Sequence, residues 1–324
     1  MKSWIENVEI LRSQYSERSE INVDLSDVVD SLYLAFRDTK HIQPQRLPRG
    51  LRHMVYEALK FYRKESLIDD FEFYDFELPK IVPTGKIELL SGGLDSCYQA
   101  LVEDVDYCIT DNKANDTGIS EYDGCVEFCK RIGKPLFVYS EFYSYKKGMQ
   151  EHPLKNQIMA LQCVQAMYDL NCALCIGSLG NADEDIEHED NRRYWSIFCC
   201  TDMFAVTNAF NEFLPCDLIL ISEASKIPKL QLIMERGLLD CVRSCIAVRW
   251  YASTWREPLN KHYGVKLLPG RCGACCKCRQ EAVALWYLGY DYPMEYIRHC
   301  VKGEHPDLSL EDGIRHILKV DFTT

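Results

Sequence analysis

The sequence predicts an α/β fold with a doubly wound parallel sheet, preceded by an accessory segment and followed by a cysteine-rich tail. From Lys86 onward, short apolar stretches alternate with amphipathic stretches of helical length. A glycine-rich hexapeptide, residues 91–96, joins the first predicted strand to the first predicted helix. Strands that alternate with helices form parallel sheets covered on both faces, because the connections between them are right-handed crossovers. The regular alternation therefore predicts the fold class.

The predicted elements follow one another in regular order. The predicted strands are Ile87–Leu90, Val105–Thr110, Pro135–Ser140, Ala173–Gly177 and Asp217–Ile221. One predicted helix begins at Asp95. The other predicted helices span Glu121–Ile132, Pro153–Leu170, Ile227–Arg236 and Glu281–Leu288. Residues 1–83 are expected to form a largely helical accessory segment, since apolar spacings of three and four favour a helix at Leu51–Tyr62. The main domain is expected to span residues 84–324.

Composition favours a cytoplasmic enzyme without a polymeric nucleic-acid partner. The chain has 37 Lys and Arg against 49 Asp and Glu, a net charge of −12, whereas a large nucleic-acid interface needs clustered basic residues. No apolar run approaches the roughly 20 residues that cross a bilayer, and the N-terminus lacks the layout of a signal peptide. We therefore expect no membrane partner. The 17 cysteines are expected to be thiols, with a clustered subset as metal ligands.

The hexapeptide Ser91-Gly92-Gly93-Leu94-Asp95-Ser96 is typical of a phosphate-binding loop. Adjacent glycines let backbone N–H groups approach a phosphate, and the following helix directs its positive end at the same anion. The loop is not a Walker loop, because no Gly-Lys-Ser/Thr follows, and it lacks the third glycine of the dinucleotide fingerprint. The alternative is a plain turn capped by Asp95 and Ser96. We favour the phosphate loop.

Four cysteines within residues 272–278 predict a metal site. Cys272, Cys275 and Cys278 form a C-x2-C-x2-C array that can place three thiolates on one ion. A tetrahedral zinc needs a fourth ligand, for which Cys245 is favoured over Cys276, Cys241 and His262. An iron–sulfur cluster and coincidental core cysteines are the alternatives. We expect a structural zinc that ties the tail to the sheet.

The hexapeptide resembles the signature of the N-type ATP pyrophosphatase, or PP-loop, superfamily. Members of this superfamily adenylate an oxygen of their substrate with ATP and release pyrophosphate. The resemblance implies an adenine-nucleotide alpha-hydrolase-like fold with ATP and magnesium as cofactors. It also implies that Asp95 lies beside the magnesium or the leaving pyrophosphate.

Loop and cysteine array together resemble the 7-cyano-7-deazaguanine synthase (QueC) family over residues 86–290. That family shows a Pro-x-Arg-Asn segment, an Ile-Gly strand end with an acidic residue downstream, a Thr-x-Ser-Cys element and a final Cys-Gly-x-Cys-x-x-Cys. The counterparts here are Pro153-Leu154-Lys155-Asn156, Ile176-Gly177 with Asp183 downstream, Arg243-Ser244-Cys245 and residues 272–278. Lys226 and Gly237 fall where the family has a lysine and a glycine. The resemblance implies that ATP adenylates 7-carboxy-7-deazaguanine before an amine attacks it.

The resemblance also assigns roles by position. The residues implied to bind the nucleotide are Ser91, Gly92, Gly93, Leu94, Asp95, Ser96 and Gly177. The residues implied to act in catalysis are Asp95, Ser96 and Lys155. The residues implied to contact the deazaguanine are Asp183, His188 and Asp202, within a pocket lined by residues 183–204. For His188 and Asp202, a solvated loop is the competing interpretation.

Departures from the family pattern favour a divergent member. Lys155 replaces the family's arginine and cannot form a bidentate contact with a carboxylate. A charged insertion at 184–193 and the accessory segment are additional. Such features fit QueC-like proteins of bacterial antiphage clusters, including those that accompany cyclic-nucleotide signalling systems, in which a protein amine accepts the activated deazaguanine. The alternative is a conventional synthase that uses ammonia and forms the nitrile.

Two further alternatives come from other classes. A PP-loop tRNA sulfurtransferase would carry a similar loop and cysteines, but the charge of −12 argues against a tRNA-binding face. A zinc-stabilised scaffold that binds nucleotide without catalysis is disfavoured by the intact hexapeptide. The sequence leaves the oligomeric state open, and a homodimer is one option. A protein that accepts the activated deazaguanine is one candidate partner.

Overall fold

The computed structural model describes residues 12–14, 19–111, 121–139, 152–176, 203–221, 225–243 and 250–318. The strands are β1 Arg46–Pro48, β2 Glu72–Tyr74, β3 Gly85–Leu89, β4 Tyr107–Asp111, β5 Leu136–Tyr139, β6 Cys172–Ile176 and β7 Ile219–Leu220. The helices are α1 Ser26–Phe36, α2 Arg52–Phe61, α3 Leu94–Val102, α4 Glu121–Ile132, α5 Lys155–Leu170, α6 Met203–Phe213, α7 Lys226–Glu235, α8 Trp250–Tyr263, α9 Cys276–Tyr287, α10 Met294–Glu304 and α11 Leu310–Leu318. Two 3-10 helices, Arg49–Leu51 and Glu65–Asp70, flank α2.

Five strands form one sheet in the order β5-β4-β3-β6-β7. The pairs β3–β4, β3–β6 and β6–β7 are parallel, with Ile87 opposite both Tyr107 and Leu174. Strand β6, which lies between β3 and β7, is buried along its whole length, as expected for a parallel strand covered on both faces. The predicted α/β class and its parallel sheet are confirmed. The strand order is compatible with a doubly wound fold, while the finer PP-loop assignment stays a prediction.

The described chain divides into two compact units. The first comprises Met1–Leu89, Glu103–Asn112 and Phe137–Ile221, and the second comprises Leu90–Val102, Lys113–Leu136 and Ser222–Thr324. The first unit contains the sheet, together with the described part of the predicted accessory segment 1–83. Among the described helices, none combines the length and the apolar character that crossing a bilayer requires.

The core of the first unit joins the N-terminal helices to those that flank the sheet. Helix α1 packs on α5, and α2 packs on α6. Helix α2 buries Met54, Val55, Ala58 and Leu59, which lie on one helical face. The short strand β2 pairs in parallel with β1, with Leu47 opposite Phe73. Residues 19–83 therefore share one hydrophobic core with α5 and α6.

A buried polar network holds residue 12 and residues 19–23 against α5. Arg12 Nε lies 2.9 Å from Asp169 Oδ2, and the backbone N–H of Ser19 donates to Asp169 Oδ1 at 3.0 Å. Gln165 accepts from the backbone N–H of Val23 and donates both to the carbonyl of Ile21 and to Asp169. Buried charges are tolerated when they are paired in this way. The network therefore fixes the start of the described chain.

A neutral histidine fixes the start of α5. Burial lowers the pKa of His152 to about 4, so its imidazole is uncharged at neutral pH. Its Nδ1 accepts from the backbone N–H of Leu154, which leaves Nε2–H to donate to the carbonyl of Tyr33 at 3.0 Å. The ring also stacks on Tyr33. Helix α1 and the first turn of α5 are joined through this one side chain.

The ion pair at the centre of the network gives a stability prediction. Asp169→Ala leaves the buried guanidinium of Arg12 without its carboxylate and should lower the free energy of unfolding by about 3 to 5 kcal/mol. Urea unfolding followed by circular dichroism measures this loss. The matched control is Glu72→Ala, which breaks an exposed pair with Arg46 and should cost less than about 1 kcal/mol. Equal losses in the two variants would contradict a special role for the buried pair.

Candidate functional site

The predicted phosphate loop follows β3, the strand at which the order of strand addition to the sheet reverses. The chain runs from β3 outward through β4 and β5, then returns to pair β6 with the opposite side of β3. In open α/β sheets, ligands bind outside the carboxyl ends of the strands at such a reversal. The loop begins at Ser91, two residues after the end of β3, and Gly177 directly follows β6 in the sequence. Both predicted nucleotide-binding segments therefore follow strands that border the reversal, although Gly177 lies outside the described residues.

The conformation of the loop requires glycine at its second position. Gly92 has a φ of +76°, in the left-handed region. A Cβ built there would stand 3.0 Å from the carbonyl oxygen of Glu121 and 3.1 Å from Cys125 Sγ, both of which belong to α4. At Gly93, a Cβ would approach only Ser91 Oγ, at 3.3 Å. Helix α4 therefore packs closely against the loop at Gly92.

The two serines hold the loop together from within. The hydroxyls of Ser91 and Ser96 lie 3.0 Å apart, and the backbone N–H of Ser91 donates to Ser96 Oγ at 3.2 Å. The backbone N–H of Gly93 donates to Ser91 Oγ at 3.3 Å. Ser96 is buried, whereas Ser91 is exposed. The implied phosphate-binding serines thus set the shape of the loop that a phosphate would meet.

Lys229, which belongs to none of the sequence motifs, reaches the loop. Lys229 Nζ lies 2.7 Å from Asp95 Oδ1, and the lysine side chain is 5% exposed while that of Asp95 is 48% exposed. Lys229 belongs to α7, which packs against α3. Its spacing of three from Lys226 on one helix is a weak signal in the sequence. Lys226, which stands at the family's lysine position in the sequence, contacts Gln280 of α9 at 2.7 Å.

The segment 241–243 contacts the loop from another side. The backbone N–H of Arg243 donates to the carbonyl of Gly92 at 2.6 Å. Gly124 of α4 lies so close that an added Cβ would stand 2.6 Å from both the Cys241 carbonyl oxygen and Arg243 Cγ. Burial, followed by the nearby charge of Arg271, lowers the pKa of Arg243. The segment is therefore fixed between the loop and α4.

The three predicted metal ligands in the described chain lie together. The Sγ atoms of Cys272, Cys275 and Cys278 are all within 4.8 Å of one another. The sulfurs of Cys272 and Cys278 are 3.9 Å apart, close to the roughly 3.8 Å that two thiolates on one tetrahedral zinc adopt. No other group of three metal-ligating side chains occurs in the described part of the chain. The triad can bind a metal ion such as zinc.

Backbone N–H groups support thiolates at this site. The N–H groups of Ala274 and Cys275 donate to Cys272 Sγ at 3.4 and 3.3 Å, and that of Cys278 donates to Cys275 Sγ at 3.5 Å. Such hydrogen bonds stabilise the charged sulfurs that metal binding requires. Gly273, with a φ of +75°, allows the turn, and its carbonyl accepts from the hydroxyl of Tyr296. The donor set therefore fits a thiolate-bound metal.

The predicted fourth ligand, Cys245, lies outside the described residues. Cys276, the nearest alternative in sequence, is exposed and does not belong to the triad. Cys241 is buried, and burial raises the pKa of its thiol. The described chain thus supplies three sulfurs and leaves the fourth position to Cys245 as a prediction.

A buried arginine joins the cysteine triad to the segment 241–243. Arg271 directly precedes Cys272 and donates to the carbonyls of Leu239, Val242 and Pro269. Its second terminal nitrogen lies 2.5 Å from Glu281 Oε1. Burial disfavours the charged guanidinium, but the carboxylate of Glu281 outweighs this effect and raises the pKa of Arg271. Arg271 therefore stays charged and fixes the chain that leads toward Cys245.

The remaining predicted site residues are distributed as follows. Lys155 is the first residue of α5 and belongs to the first unit, and its backbone N–H donates to the carbonyl of His152. Asp183, His188 and Asp202, like the rest of the predicted deazaguanine pocket up to residue 202, lie outside the described residues. Their predicted roles stay predictions. The loop, Lys229, Arg243 and the cysteine triad all belong to the second unit.

No protein-family model matches the chain, and no curated protein matches it. Any functional assignment therefore rests on the residues of the chain and their geometry.

The contacts of Gly92 give a prediction about the loop. Gly92→Ala should lower the free energy of unfolding by about 2 to 4 kcal/mol, because the alanine has an unfavourable φ and crowds the backbone of α4. Gly133→Ala is the matched control, since Gly133 has a φ of +70° with no atom within 4 Å of an added Cβ. It should lose only about 1 kcal/mol. Chemical unfolding measures both losses, and equal values would contradict the described packing of the loop.

The cysteine geometry gives a prediction about metal content. The purified protein should contain one zinc per chain by mass spectrometry of the metal, and Cys272→Ser should lose it together with thermal stability. Cys276→Ser is the control and should retain the metal, because Cys276 is exposed and outside the triad. Loss of the metal in Cys276→Ser, with retention in Cys272→Ser, would contradict the assigned ligands.

Proposed function

We propose that the chain is an ATP-dependent, adenylating ligase of the QueC type. In this proposal it activates 7-carboxy-7-deazaguanine or a close analogue and passes it to an amine, forming a C–N bond. A protein amine in an antiphage defence pathway is the proposed acceptor. The single observation that carries the proposal is the loop Ser91–Ser96, which follows the strand at the reversal of a parallel sheet.

Three features of the described residues support nucleotide phosphates as the ligand of this loop. Gly93, where an added Cβ would meet only Ser91 Oγ, leaves the backbone open to close approach, and the N-terminus of α3 favours an anion. Lys229 adds a positive charge beside Asp95. The net charge of −12 disfavours RNA as the source of these phosphates and so disfavours the tRNA sulfurtransferase.

The proposed chemistry has two steps. A carboxylate oxygen of the substrate attacks the α-phosphorus of ATP, and the bond to the bridging oxygen breaks, with its electron pair leaving on pyrophosphate. An amine nitrogen then attacks the acyl-adenylate carbonyl, AMP leaves, and the nitrogen gives up a proton. Magnesium, when bound, neutralises charge on the phosphates, and Asp95 is the residue proposed to hold it. Backbone amides of the loop stabilise the charge that develops on the leaving pyrophosphate.

The metal is proposed to be structural. Three thiolates with a fourth cysteine close the coordination sphere of zinc and leave no position for substrate. Arg271 and the segment 241–243 connect this site to Gly92 by hydrogen bonds. The proposed task of the metal is therefore to hold the chain that supports the loop.

Isotope exchange tests the adenylation step. With 7-carboxy-7-deazaguanine present, the enzyme should exchange labelled pyrophosphate into ATP, because adenylation is reversible before the amine attacks. Asp95→Asn should reduce the exchange rate by about tenfold or more, since a charge at the phosphate site is lost. Asp307→Asn, a change at an exposed residue of the same unit, is the control and should leave the rate unchanged. Formation of ADP and phosphate in place of AMP and pyrophosphate would contradict the proposal.

Intact-mass measurement tests the acceptor. Candidate partner proteins are incubated with enzyme, ATP and the deazaguanine acid, and a mass increase equal to the conjugate supports the protein acceptor. Ammonium ions replace the proteins in the parallel reaction. A free amide or nitrile there, with no protein mass change, would favour the conventional synthase.

A further inference from the structure

We propose that Lys229 binds the phosphates at the loop and stabilises the pyrophosphate leaving group. This inference rests on the proposed ATP-dependent function and adds a residue to the same site. The lysine stands outside the hexapeptide and three residues beyond Lys226, the residue that the motif resemblance selects.

Burial of Lys229 is the first observation. Its side chain is 5% exposed, and a buried ammonium is costly unless an anion accompanies it. The carboxylate of Asp95 is that anion, at 2.7 Å. Asp95, however, is 48% exposed, so water and solutes reach the other side of the pair. The ammonium is therefore held at the accessible end of the loop rather than deep within a sealed core.

The local charge balance is the second observation. Asp95 is the second residue of α3, whose N-terminus carries the equivalent of roughly half a positive charge. The ammonium adds one positive charge and the carboxylate one negative charge, so the sum at the loop stays positive. A cation next to a helix N-terminus is unfavourable without further negative charge. Phosphate groups would supply that charge, so the loop suits a polyanion.

The contacts of the neighbouring lysine are the third observation. Lys226, one helical turn earlier on α7, donates to Gln280 Oε1 at 2.7 Å, and Gln280 donates in turn to Glu304 of α10. Lys226 thus connects α7 with the helix that begins in the cysteine array. Of the two lysines, Lys229 is the one in contact with the loop residue Asp95.

The chemical role follows from this position. When the bond between the α-phosphorus and the bridging oxygen breaks, the electron pair moves onto pyrophosphate. An ammonium already fixed at the loop stabilises that charge without reorganising in the transition state. Asp95 orients the ammonium before the nucleotide binds.

Pyrophosphate binding tests the role of Lys229 apart from the rest of the reaction. Lys229→Met keeps the length of the side chain and removes its charge. Calorimetry should show a dissociation constant for magnesium pyrophosphate that is weaker by about tenfold to a hundredfold, as expected for loss of a charge-assisted hydrogen bond. Adenosine binding should not change. Lys229→Arg should restore part of the affinity, and Lys130→Gln, an exposed change on α4, is the matched control.

Thermal unfolding of the same variants separates binding from folding. Removal of Lys229 leaves Asp95 without its ion-pair partner, but the Asp95 side chain is 48% exposed and can be solvated by water, so Lys229→Met should fold, and Lys229→Gln serves if it does not. Affinity for pyrophosphate within twofold of the parent in a folded variant would overturn the role of Lys229 and leave the proposed function standing. A parent protein that binds neither ATP nor pyrophosphate would overturn both.

Discussion

The second unit depends on how the short segment 241–243 is held. Its N–H at Arg243 donates to the carbonyl of Gly92, and its carbonyl at Val242 accepts from Arg271. The segment passes so close to Gly124 that a side chain there would collide with it. Residues 242 and 243 belong to no helix or strand, so these contacts fix them in place of regular hydrogen bonding. The phosphate loop and the cysteine array are thereby joined through three residues of chain.

Helix α7 makes a second connection between the same two features. Lys229 in its first turn contacts Asp95 of α3, and Lys226 contacts Gln280 of α9. Both contacts are polar and join residues far apart in the sequence, so a shift of α7 would disturb both of them at once. The loop is consequently supported from α4 by packing, from segment 241–243 by a backbone hydrogen bond and from α7 by an ion pair. Such preorganisation is what a loop needs if it is to stabilise charge on a leaving group.

Local periodicity predicted much of the fold, and long-range contacts account for what it missed. The predicted helix Glu121–Ile132 matches α4, and each predicted strand lies within two residues of an observed one, because apolar patterning and turn residues act locally. Helix α10 was missed although Tyr296, Ile297, Cys300 and Val301 are buried on one face, since tyrosine and cysteine weaken an apolar pattern. The cysteine spacing predicted that three sulfurs lie close together, and the structure places them so. The Lys229–Asp95 contact joins residues 134 positions apart, which no local pattern encodes.

A structural metal is a physically reasonable support for such a loop. Segment 241–243 leads in sequence to Cys245, so a metal bound by Cys245 and the triad would restrain the chain just beyond Arg243, while the close packing of Cys241 on Gly124 restrains its start. Arg271 already holds the middle, and its charge is balanced by Glu281, which lies within α9, the helix that begins in the cysteine array. A chain restrained at both ends loses little further entropy when a ligand orders the loop. The metal would then contribute to nucleotide binding without touching the nucleotide, because its effect passes through the backbone hydrogen bond between Arg243 and Gly92.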